Sequence, residues 1–210
     1  MKRKWIMITS IILFILIVGV LAGPVISNVE KPDYKVIQST QNIEIRQYEP
    51  MIIAEVQIEG NREDAIREGF RLLADYIFGN NTAKMNISMT APVEQKENQK
   101  IAMTAPVQQQ LNGKSWRISF VMPSKFNMDS LPVPNNNRVS LKEVLNKKFV
   151  VIEFSGTNSK ENVEEHENQL KSYIEAKQIK INGSPKYAFY DAPWTLPILR
   201  RNEIMIEIKK

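Results

Sequence analysis

The chain contains no cysteine and only one histidine, His166, among its 210 residues. The lack of cysteine excludes disulfides, a lipid-modified cysteine, Cys–His nucleophile pairs and Cys-containing zinc clusters, and a Ser-His-Asp triad would have to be built on His166. No glycine-rich phosphate loop is present either. His166 lies in a run of glutamates on the polar part of a predicted helix, so we expect a solvated surface histidine. These absences favour a non-catalytic protein.

A dense basic face is also missing, although the formal net charge is +5 and the pI is about 9.3. Without Lys2, Arg3 and Lys4, 25 basic residues face 23 acidic ones, so the rest of the chain is nearly neutral. No cluster of Lys and Arg interleaved with aromatics appears, which argues against a nucleic-acid partner.

Residues 5–22 carry no charge, and Thr9 and Ser10 are their only polar side chains. The run is long enough to span a bilayer and continues to residue 26, so residues 1–26 are predicted to be a single-pass membrane anchor, with membrane contact through residues 5–26. The basic N-terminus would stay cytoplasmic and the domain extracytoplasmic. A cleaved signal ending near Ala22 is the alternative, and it would make the domain secreted. Residues 27–33 form a linker, and residues 34–210 have the size of one domain.

A heptapeptide of the form Ile-x-Met-Thr-Ala-Pro-Val occurs twice, at residues 87–93 and 101–107. Each copy alternates larger apolar residues with smaller or polar ones, as a strand does, and its proline suits a strand end or edge. The polar residues 94–100 separate the copies, so we expect a hairpin with a long loop. Methionine is frequent around this element and could fill a core or line a pocket for a flat ligand. These methionines are Met85, Met89, Met103, Met122 and Met128.

The remaining pattern predicts an α+β domain built from two strand-helix-strand-strand units. Asn61 should cap a first helix that ends near Gly79, and residues 160–177 should form a second one. Strands are expected at 34–38, 43–48, 51–58, 116–122, 139–144, 149–154, 186–190 and 203–208. Residues 51–60 align with residues 149–156 when a two-residue gap is allowed, so Glu55 and Glu153 occupy equivalent positions in the two units. Both carboxylates are expected to be satisfied or outward-facing.

The tandem Met-Thr-Ala-Pro-Val, with Tyr-Asp-x-Pro-Trp-Thr-x-Pro-x-x-Arg-Arg-Asn-Glu at 190–203, resembles the SOUL haem-binding protein family. The resemblance covers about residues 34–210. It implies a distorted antiparallel β-barrel of two pseudo-symmetric halves with two flanking helices. It also implies non-covalent binding of haem or a related tetrapyrrole without a catalysed reaction.

The resemblance places the ligand groove between the first helix and the loop at 193–197. Arg67 would pair with a propionate, Leu73 belongs to the same helix, and Phe70 and Ala74 stand where the family has methionines. In the loop, Trp194 would either be buried as an anchor or cover the pocket, and Thr195 replaces an expected basic residue. No iron ligand is assigned, so iron-free porphyrins should bind about as well as haem.

Two other classes stay open at this point. The domain could be an enzyme or a sensor for a different small apolar ligand, which a perturbed Glu55 or Glu153 in a pocket would favour. It could instead be a membrane-tethered interaction module, which a broad exposed apolar patch would favour.

Overall fold

The computed structural model describes residues 29–84 and 98–209, which form one curled antiparallel sheet with two α-helices on the same face. The helices are α1 (Arg62–Phe78) and α2 (Lys160–Ala176). The strands are β1 (Tyr34–Thr40), β2 (Ile43–Tyr48), β3 (Met51–Glu59), β4 (Asn81–Thr82), β5 (Val107–Asn112), β6 (Ser115–Val121), β7 (Val133–Pro134), β8 (Ser140–Val144), β9 (Lys147–Phe154), β10 (Ile181–Phe189) and β11 (Asn202–Ile208). β4 and β7 pair separately from the main sheet.

The main sheet has the strand order β1-β2-β9-β11-β10-β5-β6-β3-β8, which is nearly symmetric about its centre. The unit β3-α1-β5-β6 occupies one half and β9-α2-β10-β11 the other, and β10 pairs with β5 between them. This arrangement agrees with the two predicted strand-helix-strand-strand units. The end strands β1 and β8 do not pair with each other, so the sheet is an open half-barrel, and the predicted barrel does not close.

The register of the sheet places the two matched glutamates in corresponding positions. Glu55 lies opposite Ser119 on β6, and Glu153 lies opposite Glu203 on β11. Through Gln108 and Ala188 these pairs form one continuous cross-strand row. Because side chains alternate along a strand, this row points away from the helices, into the concave face of the half-barrel.

Helix α1 begins and ends as the sequence predicts. The Asn61 side chain accepts a hydrogen bond from the backbone N–H of Asp64 at 3.0 Å, and Gly79 ends the helix with a φ of +127°. A positive φ costs glycine little, which suits it to a helix C-terminus. Leu73 and Tyr76 are among the α1 side chains buried against β3 and β6.

Helix α2 covers the other half of the sheet. Ser159 caps it, and the helix ends within one residue of the predicted boundary. Val163, Leu170 and Ile174 pack against β9 and β11 in a second buried cluster. A third cluster lies on the concave face and includes Phe149 and Met205.

The described copy of the heptapeptide is not a strand for most of its length. Ile101 is buried and donates its N–H to the carbonyl of Ile77, and the Thr104 hydroxyl donates to the carbonyl of Val121. A strand begins only at Val107, and its neighbours are β6 and β10. The predicted hairpin is therefore wrong for this copy, because tertiary contacts fix it as an irregular connection. The copy at 87–93 lies outside the described residues.

The methionines divide between the core and the surface. Met122 is buried, whereas Met103 and Met128 are partly exposed, and Met85 and Met89 lie outside the described residues. Within residues 29–84 and 98–209 no helix combines the length and apolarity that crossing a membrane requires. The predicted anchor is not among these residues.

Candidate functional site

An open groove of about 840 Å³ lies between α2, the β1–β2 turn and the loop at 190–201. Its volume is within the range of pockets that hold drug-sized ligands. Its lining combines charged residues of the sheet with Phe154, His166, Ile198 and Leu199. The full lining is Gln41, Asn42, Glu44, Arg46, Glu153, Phe154, Ser155, Asn162, His166, Ile198, Leu199, Arg200 and Arg201.

The loop on one side of the groove is held by its own backbone carbonyls. The Arg200 guanidinium donates to the carbonyl of Thr195 at 2.7 Å and also to that of Pro193. The N–H of Gly156 donates to the carbonyl of Pro197 at 2.8 Å. Because prolines lack an N–H and have a fixed φ, they suit such a defined turn. The loop therefore presents Ile198, which is 76% exposed, beside the groove.

His166 is partly buried, which corrects the predicted solvated surface histidine. Its ring stacks on Phe154 with the centroids 4.2 Å apart and the planes at 14°. Its Nδ1 lies 2.8 Å from the carbonyl oxygen of Asn162. Since a carbonyl can only accept, Nδ1 carries the hydrogen of this bond, and in the neutral imidazole the lone pair is then on Nε2. Nε2 has no hydrogen-bond partner within the described residues and remains open to solvent.

A buried ionic cluster supports the floor of the groove. Glu203 is fully buried and accepts hydrogen bonds from Arg46 at 2.8 Å, from Arg201 and from the Tyr190 hydroxyl at 2.7 Å. Burial alone would lower the pKa of Arg46, but the Glu203 carboxylate outweighs it and the pKa is raised. Burial raises the pKa of Tyr190, because it disfavours the charged phenolate. The cluster is therefore a buried network in which Glu203 has a donor on each carboxylate oxygen.

The carboxylates that would have favoured an enzyme are ion-paired. Glu55 is buried and paired with Lys142 and Arg117, and the half-exposed Glu153 lies 3.2 Å from Arg201. This agrees with the expectation that both are satisfied.

The predicted α1 residues have different environments. Arg67 is 71% exposed and pairs with Glu63 and Asp64 of its own helix. Phe70 is partly exposed and contacts Phe120 edge-on, with the centroids 5.4 Å apart. Leu73 is fully buried in the core, so it presents no surface to a ligand, and Ala74 is half-buried.

The predicted loop residues lie next to the groove at α2. Trp194 is 70% exposed, so the idea that its burial anchors the fold is wrong, and a covering role is left. Thr195 is buried, with its hydroxyl unpaired within the described residues. The glutamates around His166 favoured a solvated residue, and no sequence signal singled out Phe154. The spacing of Val163, His166 and Leu170 along one side of α2 was the signal that could have found His166.

The fold and the groove define a class: an α+β half-barrel of two repeated units with a ligand-sized groove beside its second helix. The chain belongs to the SOUL heme-binding protein family, which matches residues 29–207. This membership supports haem or tetrapyrrole binding in general.

Solved structures share the fold at low sequence identity. The C-terminal domain of EcmrR has a TM-score of 0.57 and 10% identity, with 84% of this chain and 98% of that chain covered. EcmrR in a complex with DNA has a TM-score of 0.55 and 11% identity, over 80% and 57% of the two chains. A hydrolase from Listeria innocua has a TM-score of 0.50 and 11% identity, with 82% of this chain and 94% of that chain covered. At these identities the likeness shows the fold alone. The search of curated proteins found no match.

Proposed function

We propose that the domain binds haem or a related tetrapyrrole non-covalently, without catalysing a reaction, in the groove beside α2. The observation that carries this proposal is His166, whose Nδ1–H is held by a carbonyl while Nε2 stays open to solvent in a ligand-sized groove. Metal-binding histidines in proteins usually donate their other ring N–H to a carbonyl or carboxylate, which fixes the tautomer. Membership of the SOUL family supports the ligand class.

The apolar contacts of the groove suit a porphyrin face. His166 lines the groove with its ring stacked on the buried Phe154, and Ile198 and Leu199 expose aliphatic surface in the same lining. Each 100 Å² of apolar surface removed from water contributes about 2.5 kcal/mol before the costs of binding are subtracted. Affinity would therefore come from these apolar contacts together with the charged groups of the lining, and His166 would add an iron-dependent part.

Arg200 supplies a positive charge for a propionate. Its guanidinium donates only to backbone carbonyls, and it makes no ion pair within residues 29–84 and 98–209. Arg46 and Arg201, in contrast, are already neutralised by the carboxylates of the buried cluster. A charge-assisted hydrogen bond from Arg200 to a propionate would add about 1.5–3 kcal/mol.

A placement on α1 remains the second possibility for the same ligand. It uses Arg67 as the propionate partner and Phe70 with Ala74 as the apolar wall, together with Trp194 and Thr195 of the loop at 193–197. Arg67 already has two carboxylate neighbours, which makes it a weaker partner for an anion than Arg200.

Hemin and protoporphyrin titrations of the full chain in detergent distinguish the placements. We expect R200A to weaken hemin binding about tenfold or more, and R67A to leave it unchanged. The reverse result would move the site to α1.

H166F tests the contribution of the histidine. It keeps an aromatic ring against Phe154, so it should weaken the binding of hemin but not of protoporphyrin, and it should change the Soret spectrum. If the unsubstituted chain gives neither a saturable Soret change nor fluorescence quenching, the tetrapyrrole proposal fails.

We also propose that residues 5–26 anchor the domain in a membrane with the N-terminus in the cytoplasm. The charge-free run at 5–22 and the basic residues before it support this orientation. The chain should stay with membranes after alkaline carbonate washing, and external protease should digest the domain. Release of the domain by carbonate would indicate a cleaved signal.

A further inference from the structure

A second, smaller cavity lies on the concave face of the half-barrel, on the opposite side of the sheet from the helices. Its volume is about 190 Å³, below the 300–1,000 Å³ usual for drug-sized ligands, so only a small molecule fits. Its lining combines charged and amide side chains with three apolar ones. The lining residues are Ile53, Glu55, Gln108, Gln109, Gln110, Arg117, Ser119, Lys142, Glu143, Val144, Lys147, Phe149, Lys186 and Glu207.

The two inner carboxylates of this cavity are already neutralised. Glu55 forms ion pairs with Lys142 and, at 3.5 Å, with Arg117. Glu207 accepts from Lys147 at 2.6 Å. The only other carboxylate in the lining, Glu143, belongs to an exposed residue. A cationic ligand would thus find its counter-charges taken.

Lys186 has no such partner. Its Nζ lies 5.3 Å from the centroid of the Phe149 ring, and it makes no ion pair or hydrogen bond within the described part of the chain. Burial, with a smaller contribution from Arg117, lowers the pKa of Lys186 to about 8. The Nε of Arg117 is also buried without a hydrogen-bond partner. Four cationic side chains therefore line the cavity, against three carboxylates.

We propose that the concave cavity is a binding site for a small organic carboxylate, with Lys186 as its counter-cation. Lys186 is partly buried and has no ion pair within the described residues, so a carboxylate beside it would supply a charge-assisted partner. The apolar part of the ligand would contact Phe149, with Ile53 and Val144 as the other apolar walls. This site is independent of the haem groove, because the two cavities share no lining residue.

Calorimetric titration of the full chain with benzoate, benzamide and benzylamine tests the proposal. The three probes share a ring but are anionic, neutral and cationic at neutral pH. We expect benzoate to bind and the other two to bind at least tenfold more weakly. Equal binding of benzoate and benzamide, a preference for benzylamine, or no binding of benzoate would each overturn the proposal.

Substitutions locate the binding to Lys186. K186M keeps a linear apolar side chain without the amine, and it should weaken benzoate about tenfold or more. K148M removes the same charge from strand β9, at a residue outside the cavity lining, and it should leave benzoate binding unchanged. If K186M and K148M behave alike, the carboxylate is not held by Lys186.

The pH dependence gives a further readout. The charged groups lining the cavity around Lys186 are Glu55, Arg117, Lys142, Glu143, Lys147 and Glu207. Benzoate affinity should fall as pH rises through about 8, because Lys186 then loses its proton. Bound benzoate should raise the pKa of Lys186, as seen by NMR of the ¹³C-labelled lysine side chain. An unchanged titration midpoint with benzoate bound would contradict the proposed pairing.

Discussion

Replacing Lys186 with methionine should stabilise the protein at neutral pH. In the folded chain the ammonium group is half-buried without an ion-pair partner in the described residues, so folding works against its charge. Methionine retains a linear apolar stem beside Phe149 and has no charge to desolvate. K186M therefore removes an unfavourable contribution while keeping most of the packing.

The magnitude follows from the pKa of Lys186, which falls from 10.5 to about 8 on folding. One pKa unit corresponds to about 1.4 kcal/mol, so the full shift would be about 3 kcal/mol. Because water still reaches part of the side chain and screens the effect, we expect K186M to gain about 2 kcal/mol at pH 7.

The size of this stability difference depends on pH in a defined way. Between about pH 8 and 10.5 the unfolded chain holds the Lys186 proton while the folded chain has lost it, so the stability of the unsubstituted protein rises across this window. Below pH 8 the penalty is fully present. The advantage of K186M should therefore be largest at neutral pH and disappear above about pH 10.5.

Urea unfolding of both proteins at pH 7 and near pH 10.5 measures this difference, with K148M as the matched control. Groups common to the two proteins cancel in the comparison. An equal stability at pH 7, a loss of stability in K186M, or a gain that does not change with pH would refute the reasoning.

Two other substitutions test the packing of the domain. E203Q should destabilise the protein by about 3–5 kcal/mol, because it leaves the buried Arg46, and Arg201 beside it, without their shared carboxylate. E153Q removes a half-exposed partner of the same arginines and should cost less than about 1 kcal/mol. Equal costs in chemical denaturation would show that burial does not decide the difference. G69A would place a Cβ 2.8 Å from Ile118 Cγ1 in the core, and we expect a net loss of about 1–2 kcal/mol despite the better helix propensity of alanine. A more stable G69A protein would mean that Ile118 moves aside freely.

Local patterns predicted the helices well. The Asn61 cap, the glycine at 79 and the apolar spacing located α1, and the same periodicity located α2. These signals depend on neighbours within one or two turns of the chain, so the sequence contains them completely. The heptapeptide failed as a strand signal because contacts with Ile77 and Val121, distant along the chain, fix its conformation.

The candidate site was less predictable. His166 looked solvated because its sequence neighbours are glutamates, but the ring is covered by Phe154 from a strand. Arg200 is distinguished from Arg201 only by its partners, backbone carbonyls in one case and Glu203 in the other. No sequence pattern separates two adjacent arginines in this way.

The sequence by itself determined the α+β class, the two repeated units, the family and the absence of cysteine chemistry, because periodicity, composition and contiguous motifs suffice for these. The tertiary structure alone decided that the sheet stays an open half-barrel. It also decided that Glu203 is buried while Glu153 is half-exposed. It placed Lys186 in a cavity where, within the described residues, no carboxylate forms an ion pair with it. Each of these depends on which strands become neighbours and in which register, and cross-strand partners come from residues far apart in the chain.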